Sequence, residues 1–229
     1  MKPRDLYNKL KDEYGSLQWW PVDKTYHEEN GTDPRFEIIT GAILTQNTSW
    51  SNVEKALKNL KEEKKLDSKN MIDVETEKLH QMIHPSGFYK QKTKRLKKIA
   101  IHIQNGYNHD LQKLFNQPTQ KLRDELLSLK GIGPETADSI LLYAGEKPVF
   151  VVDNYTKRLC QRIPIETKCS YQEIQKYFEE DIEKNYSTKK LPEVYKEFHA
   201  LIVEHAKNYC KTKPQCKQCF LREECQMFK

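Results

Sequence analysis

Residues 129–137, Leu-Lys-Gly-Ile-Gly-Pro-Glu-Thr-Ala, decide the fold of this chain. The two glycines of this stretch allow the positive φ angles of a tight turn between helices. Pro134 suits the first turn of the second helix, because a missing N–H costs nothing there. The stretch therefore predicts a hairpin that joins two helices, over 119–128 and 134–144.

The hairpin is also a candidate phosphate site. The backbone N–H groups of Gly131 and Gly133 would lie beside a helix N-terminus, where the helix dipole favours an anion. An ordinary tight connection between two helices has the same sequence pattern, because Gly-x-Gly alone is weakly diagnostic. The hairpin residues by themselves therefore leave both interpretations open.

The composition favours a helical globular protein. Among 229 residues only 8 are glycine and 10 are proline, and 10% are aromatic, which argues against disorder. The net charge of +6 permits a polyanionic partner without requiring one. No apolar run approaches the roughly 20 residues of a membrane helix, and the charged N-terminus is unlike a signal peptide. We therefore expect an intracellular protein without membrane association.

Other segments fit the same helical class. Capping-box patterns at 51–54 and 170–173 predict two helix starts. Residues 16–34 are predicted to be irregular, because they are polar and contain glycine and proline. The best strand candidate is the apolar run 149–152, which is short. The prediction is an all-α fold.

Asp153 follows that apolar run, at the predicted start of a helix over 153–162. The commonest role of an aspartate at this position is to cap the first N–H groups of the helix. A carboxylate at the mouth of a cleft could also activate water or stabilise a cation. Local sequence alone favours the cap.

Four of the six cysteines lie in the last 20 residues. Their spacing is Cys210-x5-Cys216-x2-Cys219-x5-Cys225. In an intracellular protein such a group predicts metal or cluster ligands rather than disulfides. Zinc and a [4Fe–4S] cluster both accept four thiolates, but only one Cys-x2-Cys pair is present, which favours the cluster. Cys160 and Cys169 have no such spacing and are predicted to pack in the interior.

Basic residues form two groups. The first is predicted to be a solvated helix face, and its members are Lys90, Lys92, Lys94, Arg95, Lys97 and Lys98. The second surrounds the cysteines and would be fixed in space by a cluster. Its members are Lys207, Lys211, Lys213, Lys217 and Arg222.

Together these pieces resemble the helix-hairpin-helix DNA glycosylases of the endonuclease III superfamily, over almost the whole chain. The resemblance includes 43–48, the hairpin, the acid of Val152-Asp153 and the four-cysteine loop. Within the superfamily the likeness is greatest to endonuclease-III-like 3-methyladenine DNA glycosylases. The segments that carry it are 19–21, 44–48, 85–92, 130–138 and 151–155.

The resemblance implies two all-helical lobes. One is a central bundle over 25–138 that bears the hairpin, and the other combines 1–24 with 139–229 and a [4Fe–4S] cluster on the four cysteines. The active cleft would lie between the lobes, with Asp153 at its mouth. The partner would be duplex DNA containing a damaged base, which must be flipped out of the helix to be reached. The protein would act as a monomer in the cytoplasm or nucleoid.

The same resemblance implies a role for each candidate residue. Asp153 would stabilise an oxocarbenium-like sugar and activate water at C1′. A phosphate would bind at Lys130, Gly131, Ile132 and Gly133. Gln46 or Asn47 would fill the gap in the base stack. The DNA backbone would meet Lys211, Lys213 and Lys217. The base would be bound by Trp19, Trp20, Pro21, Trp50 and Glu135.

Two positions depart from the family pattern. Bifunctional endonuclease III enzymes have a lysine nucleophile where this chain has Glu135, which predicts a monofunctional glycosylase without lyase activity. Five residues separate the first two cysteines, where the family usually has six. The expected substrate is an alkylated purine such as 3-methyladenine. The alternatives are a glycosylase for mismatched uracil or thymine, and a non-catalytic helix-hairpin-helix DNA-binding protein.

Overall fold

Helices are the only regular secondary structure in the part of the chain that our computed structural model describes, residues 1–165 and 170–228. The all-α prediction is confirmed. The run 149–152 is buried but forms no strand within those residues, so the strand candidate was wrong. Cys169 lies outside the described residues. No described helix combines the length and apolar character needed to cross a membrane.

The α-helices are short to medium in length and lie throughout the chain. They are α1 (Pro3–Tyr14), α2 (Lys24–Asn30), α3 (Pro34–Leu44), α4 (Trp50–Glu62), α5 (Ser68–Asp73), α6 (Thr76–Ile83), α7 (Tyr89–Tyr107), α8 (Leu111–Phe115), α9 (Thr119–Ser128), α10 (Pro134–Ser139), α11 (Asn154–Arg162), α12 (Tyr171–Glu183) and α13 (Leu191–Asn208). A π-helical turn, Ile140–Ala144, continues α10. Short 3₁₀ turns lie at His84–Ser86, Thr188–Lys190, Cys216–Gln218 and Arg222–Glu224.

The described residues group into two compact units, 21–146 and 1–20 with 147–229. In the first unit, α3 is buried from Phe36 to Leu44. It packs against α4, α7, α10 and the π turn. The apolar residues of α4 recur at helical spacing and face inward, as expected of an amphipathic helix beside a core.

Two local predictions in this unit were wrong. α4 begins at Trp50 with Ser49 as its N-cap, so the predicted capping box at 51–54 does not start the helix. The region predicted to be irregular contains α2, a helix of 7 residues. Asp23 starts α2 by accepting a hydrogen bond from the Tyr26 N–H, and a glycine in the left-handed conformation ends it.

In the other unit, α1 packs against α12 and α13. Its core is aromatic: the rings of Phe150 and Phe178 stack with centroids 4.8 Å apart, and Phe178 stacks on Phe198 at 5.4 Å. Ser170 caps α12 by accepting a hydrogen bond from the Glu173 N–H, which confirms the second capping box. This unit holds Asp153 and the four-cysteine loop.

Candidate functional site

Asp153 is the N-cap of α11 and is 8% exposed. Its Oδ1 accepts hydrogen bonds from the Thr156 backbone N–H at 2.7 Å and the Thr156 hydroxyl at 2.9 Å. Its Oδ2 lies 3.5 Å from Nε2 of His199, on α13. The cap predicted from sequence is therefore present, and it occupies one carboxylate oxygen while the other faces an imidazole.

The surroundings of Asp153 favour its ionised form. Burial would by itself raise the pKa of the carboxyl group, but the imidazole of His199 and the two Thr156 donors outweigh burial. The pKa of Asp153 is therefore held below its ordinary value. A buried carboxylate that stays charged can stabilise a developing positive charge more strongly than one in water.

His199 is a site residue that the sequence analysis missed. It lies on the buried face of α13 and is 7% exposed. Nothing in the local sequence pairs it with Asp153, because only the packing of α13 on α11 brings the two together. A histidine on a buried helix face is otherwise an ordinary core residue.

The hairpin has the predicted boundaries: α9 ends at Ser128 and α10 begins at Pro134. Gly131 has a φ of +97°, and the Arg95 side chain occupies the place of a Cβ at this position. The backbone angle therefore favours glycine, and any side chain here would also displace that of Arg95. Among the described residues, no protein acceptor is found for the backbone N–H groups of Gly131 and Gly133. Lys130 is exposed beside them and Ile132 is buried.

Gln46 braces this hairpin. Its amide nitrogen donates hydrogen bonds to the Gly131 carbonyl at 3.1 Å and the Thr136 hydroxyl at 2.8 Å. Its amide oxygen accepts a hydrogen bond from Arg95. Gln46 is thus held inside the unit, whereas the neighbouring Asn47 is exposed and adopts a φ of +54°.

Phe88 is a second residue that the sequence analysis missed. Its side chain is 60% exposed, and its φ is +46°. It immediately precedes α7 and belongs to the same unit as the hairpin. An exposed aromatic side chain on backbone in the left-handed region makes Phe88 a candidate contact residue.

Trp50 and Pro21 line one open pocket of about 450 Å³ in unit 21–146. Tyr26 adds a second aromatic side chain. The charged lining comprises four carboxylates and two lysines: Asp23, Glu37, Glu54, Glu62, Lys58 and Lys61. The Trp50 indole N–H donates a hydrogen bond to Glu54 at 2.9 Å. The pocket is therefore aromatic and, on balance, acidic.

Glu37 is the most buried acid of this pocket, at 2% exposed. It accepts a hydrogen bond from the Asp23 backbone N–H at 3.1 Å and lies 2.9 Å from Nε2 of His27. Nζ of Lys61 is 3.2 Å away. Burial would raise the pKa of Glu37, but these partners lower it overall, so the pocket keeps a negative charge.

The other predicted base-binding residues lie elsewhere. Trp19 and Trp20 are half-buried, belong to the unit of Asp153, and contact each other with ring centroids 5.6 Å apart. The ammonium of Lys207 lies 5.8 Å from the Trp19 ring centroid. Glu135 is exposed in the first turn of α10. These three residues are not in the lining of the Trp50 pocket.

The four C-terminal cysteines converge on one pocket. They line one space together with Arg162 and His205. Burial raises the pKa of the Cys219 thiol, and the nearby Cys225, Cys210 and Cys216 add to the rise. No set of three or more His, Cys, Asp or Glu side chains in residues 1–165 and 170–228 is arranged to hold a metal ion. Cys160 is half-buried on α11.

Arg162, at the end of α11, holds both ends of the cysteine loop. Its guanidinium donates hydrogen bonds to Cys210 Sγ at 3.3 Å and to the Lys211 carbonyl at 2.7 Å. Its own carbonyl accepts one from the Gln226 N–H at 2.9 Å. On the outside of the loop, Lys211, Lys213 and Lys217 are all exposed.

Comparison with known proteins gives a family match and close relatives. A family model described as HhH-GPD superfamily base excision DNA repair protein matches residues 40–184. A Methanocaldococcus jannaschii protein named as a proposed DNA repair glycosylase is 45% identical over 222 residues, covering 96% of this chain and 94% of its own. Endonuclease III of Thermotoga maritima is 28% identical, with 89% and 86% covered.

Solved structures give the same result. The H. pylori 3-methyladenine DNA glycosylase MagIII, bound to 1,N6-ethenoadenine, matches with a TM-score of 0.70 and 31% identity, covering 90% of this chain and 98% of its own. An endonuclease III trapped covalently on DNA matches with a TM-score of 0.75 and 23% identity, covering 97% and 93%. At that identity the second match shows the fold alone.

Proposed function

Because the chain belongs to the HhH-GPD superfamily of base excision DNA repair proteins, we propose that it is a monofunctional DNA glycosylase that hydrolyses alkylated purines from duplex DNA. The observation that carries the proposal is the buried carboxylate of Asp153, whose pKa is held low by His199 and Thr156. A protein that only binds DNA needs the hairpin but has no use for such a charge.

In the proposed reaction the bond between C1′ and the base nitrogen breaks, and the base leaves with the bonding electrons. Positive charge then develops on the sugar, where Asp153 stabilises it. A water molecule adds its oxygen to C1′ and loses a proton to the carboxylate. Thr156 keeps Oδ1 fixed throughout, so the carboxylate does not have to reorganise. The product is an abasic site.

The Trp50 pocket supports an alkylated purine as the substrate. Adenine alkylated at N3 carries a positive charge, which an aromatic face attracts by roughly 1–2 kcal/mol per contact. The excess of carboxylates in the lining favours the same charge. The similarity to MagIII, a 3-methyladenine glycosylase, points to the same class of base. We also propose that Trp19, Trp20 and Glu135 contact the base, because they lie in the family-like segments 19–21 and 130–138.

The absence of an amine at position 135 supports the monofunctional assignment. A lyase requires an amine that attacks C1′ and forms a Schiff base, and a carboxylate cannot do this. Glu135 is exposed on the hairpin, so it is accessible to DNA. Its carboxylate would make the electrostatic potential near the base more negative, but it would not act as a nucleophile.

DNA is proposed to bind unit 21–146 through the hairpin and two neighbouring loops. The backbone N–H groups of Gly131 and Gly133 donate to a phosphate, and Lys130 adds charge. Asn47 is the better candidate to fill the gap in the base stack, since the amide of Gln46 is already used within the hairpin. Phe88 supplies an exposed aromatic face that can stack on a base.

The cysteine pocket offers the donor set that a [4Fe–4S] cluster takes, four thiols, although the described side chains are not arranged around a metal ion. Four thiols line one space, and Arg162 donates to the sulfur of one of them. An iron–sulfur cluster is typical of the family. When bound, the cluster would supply bonds to Cys210, Cys216, Cys219 and Cys225 that order the loop. Lys211, Lys213 and Lys217 would then face the DNA backbone.

The experiment that tests the function is a screen of duplex oligonucleotides, each with one modified base. Each duplex is incubated with the protein, and half of the sample is then treated with hot alkali, which cleaves at abasic sites. We expect cleavage after alkali only, and on duplexes with alkylated purines. Trp50→Ala should lose excision far more than affinity for an abasic-site analogue, while Trp50→Phe should retain most of it. Preferential release of mismatched uracil or thymine would replace the proposed substrate.

We expect the protein to act as a monomer on DNA of the nucleoid. A single chain carries both the carboxylate and the hairpin. Sedimentation of the protein alone and on a duplex tests this assignment.

A further inference from the structure

Lys92 is fully buried, although it lies in the basic run 90–98 that was predicted to be a solvated face. Its ammonium donates hydrogen bonds to the Leu44 carbonyl at 2.7 Å and to the Ser86 carbonyl at 2.6 Å. Burying a charge is costly unless its donors are used. The solvated-face prediction is therefore wrong for this residue, and its contacts require an explanation.

The two carbonyls belong to segments far apart in the chain. Leu44 is the last residue of α3, directly before the loop 45–49. Ser86 is the last residue of a 3₁₀ turn, directly before Gly87 and Phe88. A single side chain thus joins the ends of two elements at the points where two loops begin.

Each of these loops carries an exposed side chain on strained backbone. Asn47 in the first loop and Phe88 in the second are both non-glycine residues with positive φ, +54° and +46°. Such conformations persist only where the surroundings fix them. Hydrogen bonds from Lys92 to the residues that precede the loops are part of what fixes them.

The network continues from Lys92 into the hairpin. Arg95, three residues later on α7, donates a hydrogen bond to Gln46 and packs against Gly131. Gln46 in turn donates to the Gly131 carbonyl. One face of α7 therefore contacts the loop 45–49, the turn at 86–88 and the hairpin.

We propose that Lys92 is a positioning residue, whose buried ammonium holds the loops 45–49 and 86–89 in the arrangement that presents Asn47 and Phe88 to duplex DNA. Lys92 itself does not contact DNA. The presentation to DNA rests on the proposed function, whereas the fixing of the loops does not.

The test compares Lys92→Met with Lys94→Met, a matched control on an exposed position of the same helix. Amide hydrogen exchange of the DNA-free protein is followed by mass spectrometry. Because a charge-assisted hydrogen bond is lost at each carbonyl, we expect exchange in 45–49 and 86–89 to rise about tenfold or more in Lys92→Met. Exchange in α12 and α13 should not change, and Lys94→Met should leave both loops as in wild type.

A merely structural role would give a different pattern. Exchange would then rise throughout unit 21–146 in parallel with the loss of global stability in urea. That result, or unchanged loops in a folded Lys92→Met, would overturn the proposal. If Lys92→Met does not fold, Lys92→Gln replaces it in the comparison. Because glutamine keeps a donor group, we expect a smaller rise of hydrogen exchange in 45–49 and 86–89.

Binding to a duplex with an abasic-site analogue is measured on the same proteins. We expect Lys92→Met to lose about tenfold or more in affinity, and Lys92→Arg, which keeps the charge, to lose less. Loosened loops with unchanged affinity would contradict the DNA part of the inference. Loosened loops and weaker binding in a protein that releases no base would instead contradict the proposed function and leave the role of Lys92 intact.

Discussion

Oδ2 of Asp153 lies 3.5 Å from Nε2 of His199, so the N-terminus of α11 meets the middle of α13 through a carboxylate and an imidazole. The other oxygen of the carboxylate is fully engaged by Thr156. One side chain thus has two separate functions. Oδ1 caps a helix, and Oδ2 is held in a charged state.

Replacement of Asp153 by Asn should separate these functions. Asparagine keeps an oxygen that can accept from Thr156, so we expect the thermal midpoint to change little. Excision of the damaged base should fall by about 10²-fold or more, because the stabilising charge is lost. Single-turnover assays and thermal melts of the two proteins measure both effects. Normal excision by the variant would show that Asp153 serves only as a cap.

Removal of His199 should change the pH dependence of excision. Burial raises the pKa of Asp153, and His199 is the strongest opposing group, so His199→Leu should raise that pKa. The proposed mechanism requires the ionised carboxylate, and we therefore expect the acid limb of the rate profile to move upward by about one pH unit. His199→Gln keeps a donor and should show a smaller shift. Acid limbs that coincide in all three proteins would exclude His199 from the site.

Asp153 and the hairpin are the parts of the candidate site that could be predicted from neighbouring residues in the sequence. Its role as an N-cap follows from its place before a helical run, and the hairpin boundaries follow from two glycines and a proline. His199 could not be found in this way, because it contacts Asp153 only through the packing of two helices distant in sequence. Periodicity assigns His199 to a buried face and says nothing about its partner.

The cysteine pocket should contain iron. Protein purified without oxygen should be brown and carry about four iron atoms per chain. Cys216→Ser should lower the iron content and loosen the loop, whereas Cys160→Ser, a matched change on α11, should keep the iron. Elemental analysis and the visible spectrum provide the measurement. A colourless protein with one zinc per chain would contradict the assignment.

Borohydride trapping tests the chemistry at position 135. The wild-type protein should release the base and leave the strand intact, with no covalent complex in the presence of borohydride. Glu135→Lys introduces an amine at the position of the lyase nucleophile in bifunctional relatives, and we expect it to gain a trapped product. Efficient trapping by the wild-type protein would show that another amine of the chain reaches C1′.

The burial of Lys92 should appear in the pH dependence of stability. Burial, aided by the charge of Arg95, lowers the pKa of Lys92 to about 8. In the unfolded chain the value is about 10.4, so between these values the unfolded state binds more protons. The contribution of neutral Lys92 to the free energy of unfolding is therefore fully present above about pH 10.4 and is lost as the pH falls through 8. From pH 7 to pH 10 the free energy of unfolding of the wild type should rise relative to that of Lys92→Met. Urea titrations at each pH measure this difference. A difference that stays constant would mean that the ammonium is not desolvated.

The burial of Lys92 and the hydrogen bonds of Gln46 could not be predicted from sequence patterns. A lysine in a basic run is normally solvated, and only the proximity of the Leu44 and Ser86 carbonyls makes burial possible. Gln46 was one of two candidates to enter the DNA, and its hydrogen bonds to Gly131 and Thr136 depend on loops that meet in three dimensions. In both cases the decisive partners are backbone atoms or distant side chains.

The double use of Asp153 has a genetic consequence. Aspartate and asparagine codons differ by a single nucleotide, and asparagine preserves the helix cap. A mutation at this position would therefore escape the quality control that removes misfolded chains. Under the proposed mechanism, the product would still bind lesions but release no base, and it would compete with functional copies for the same damage.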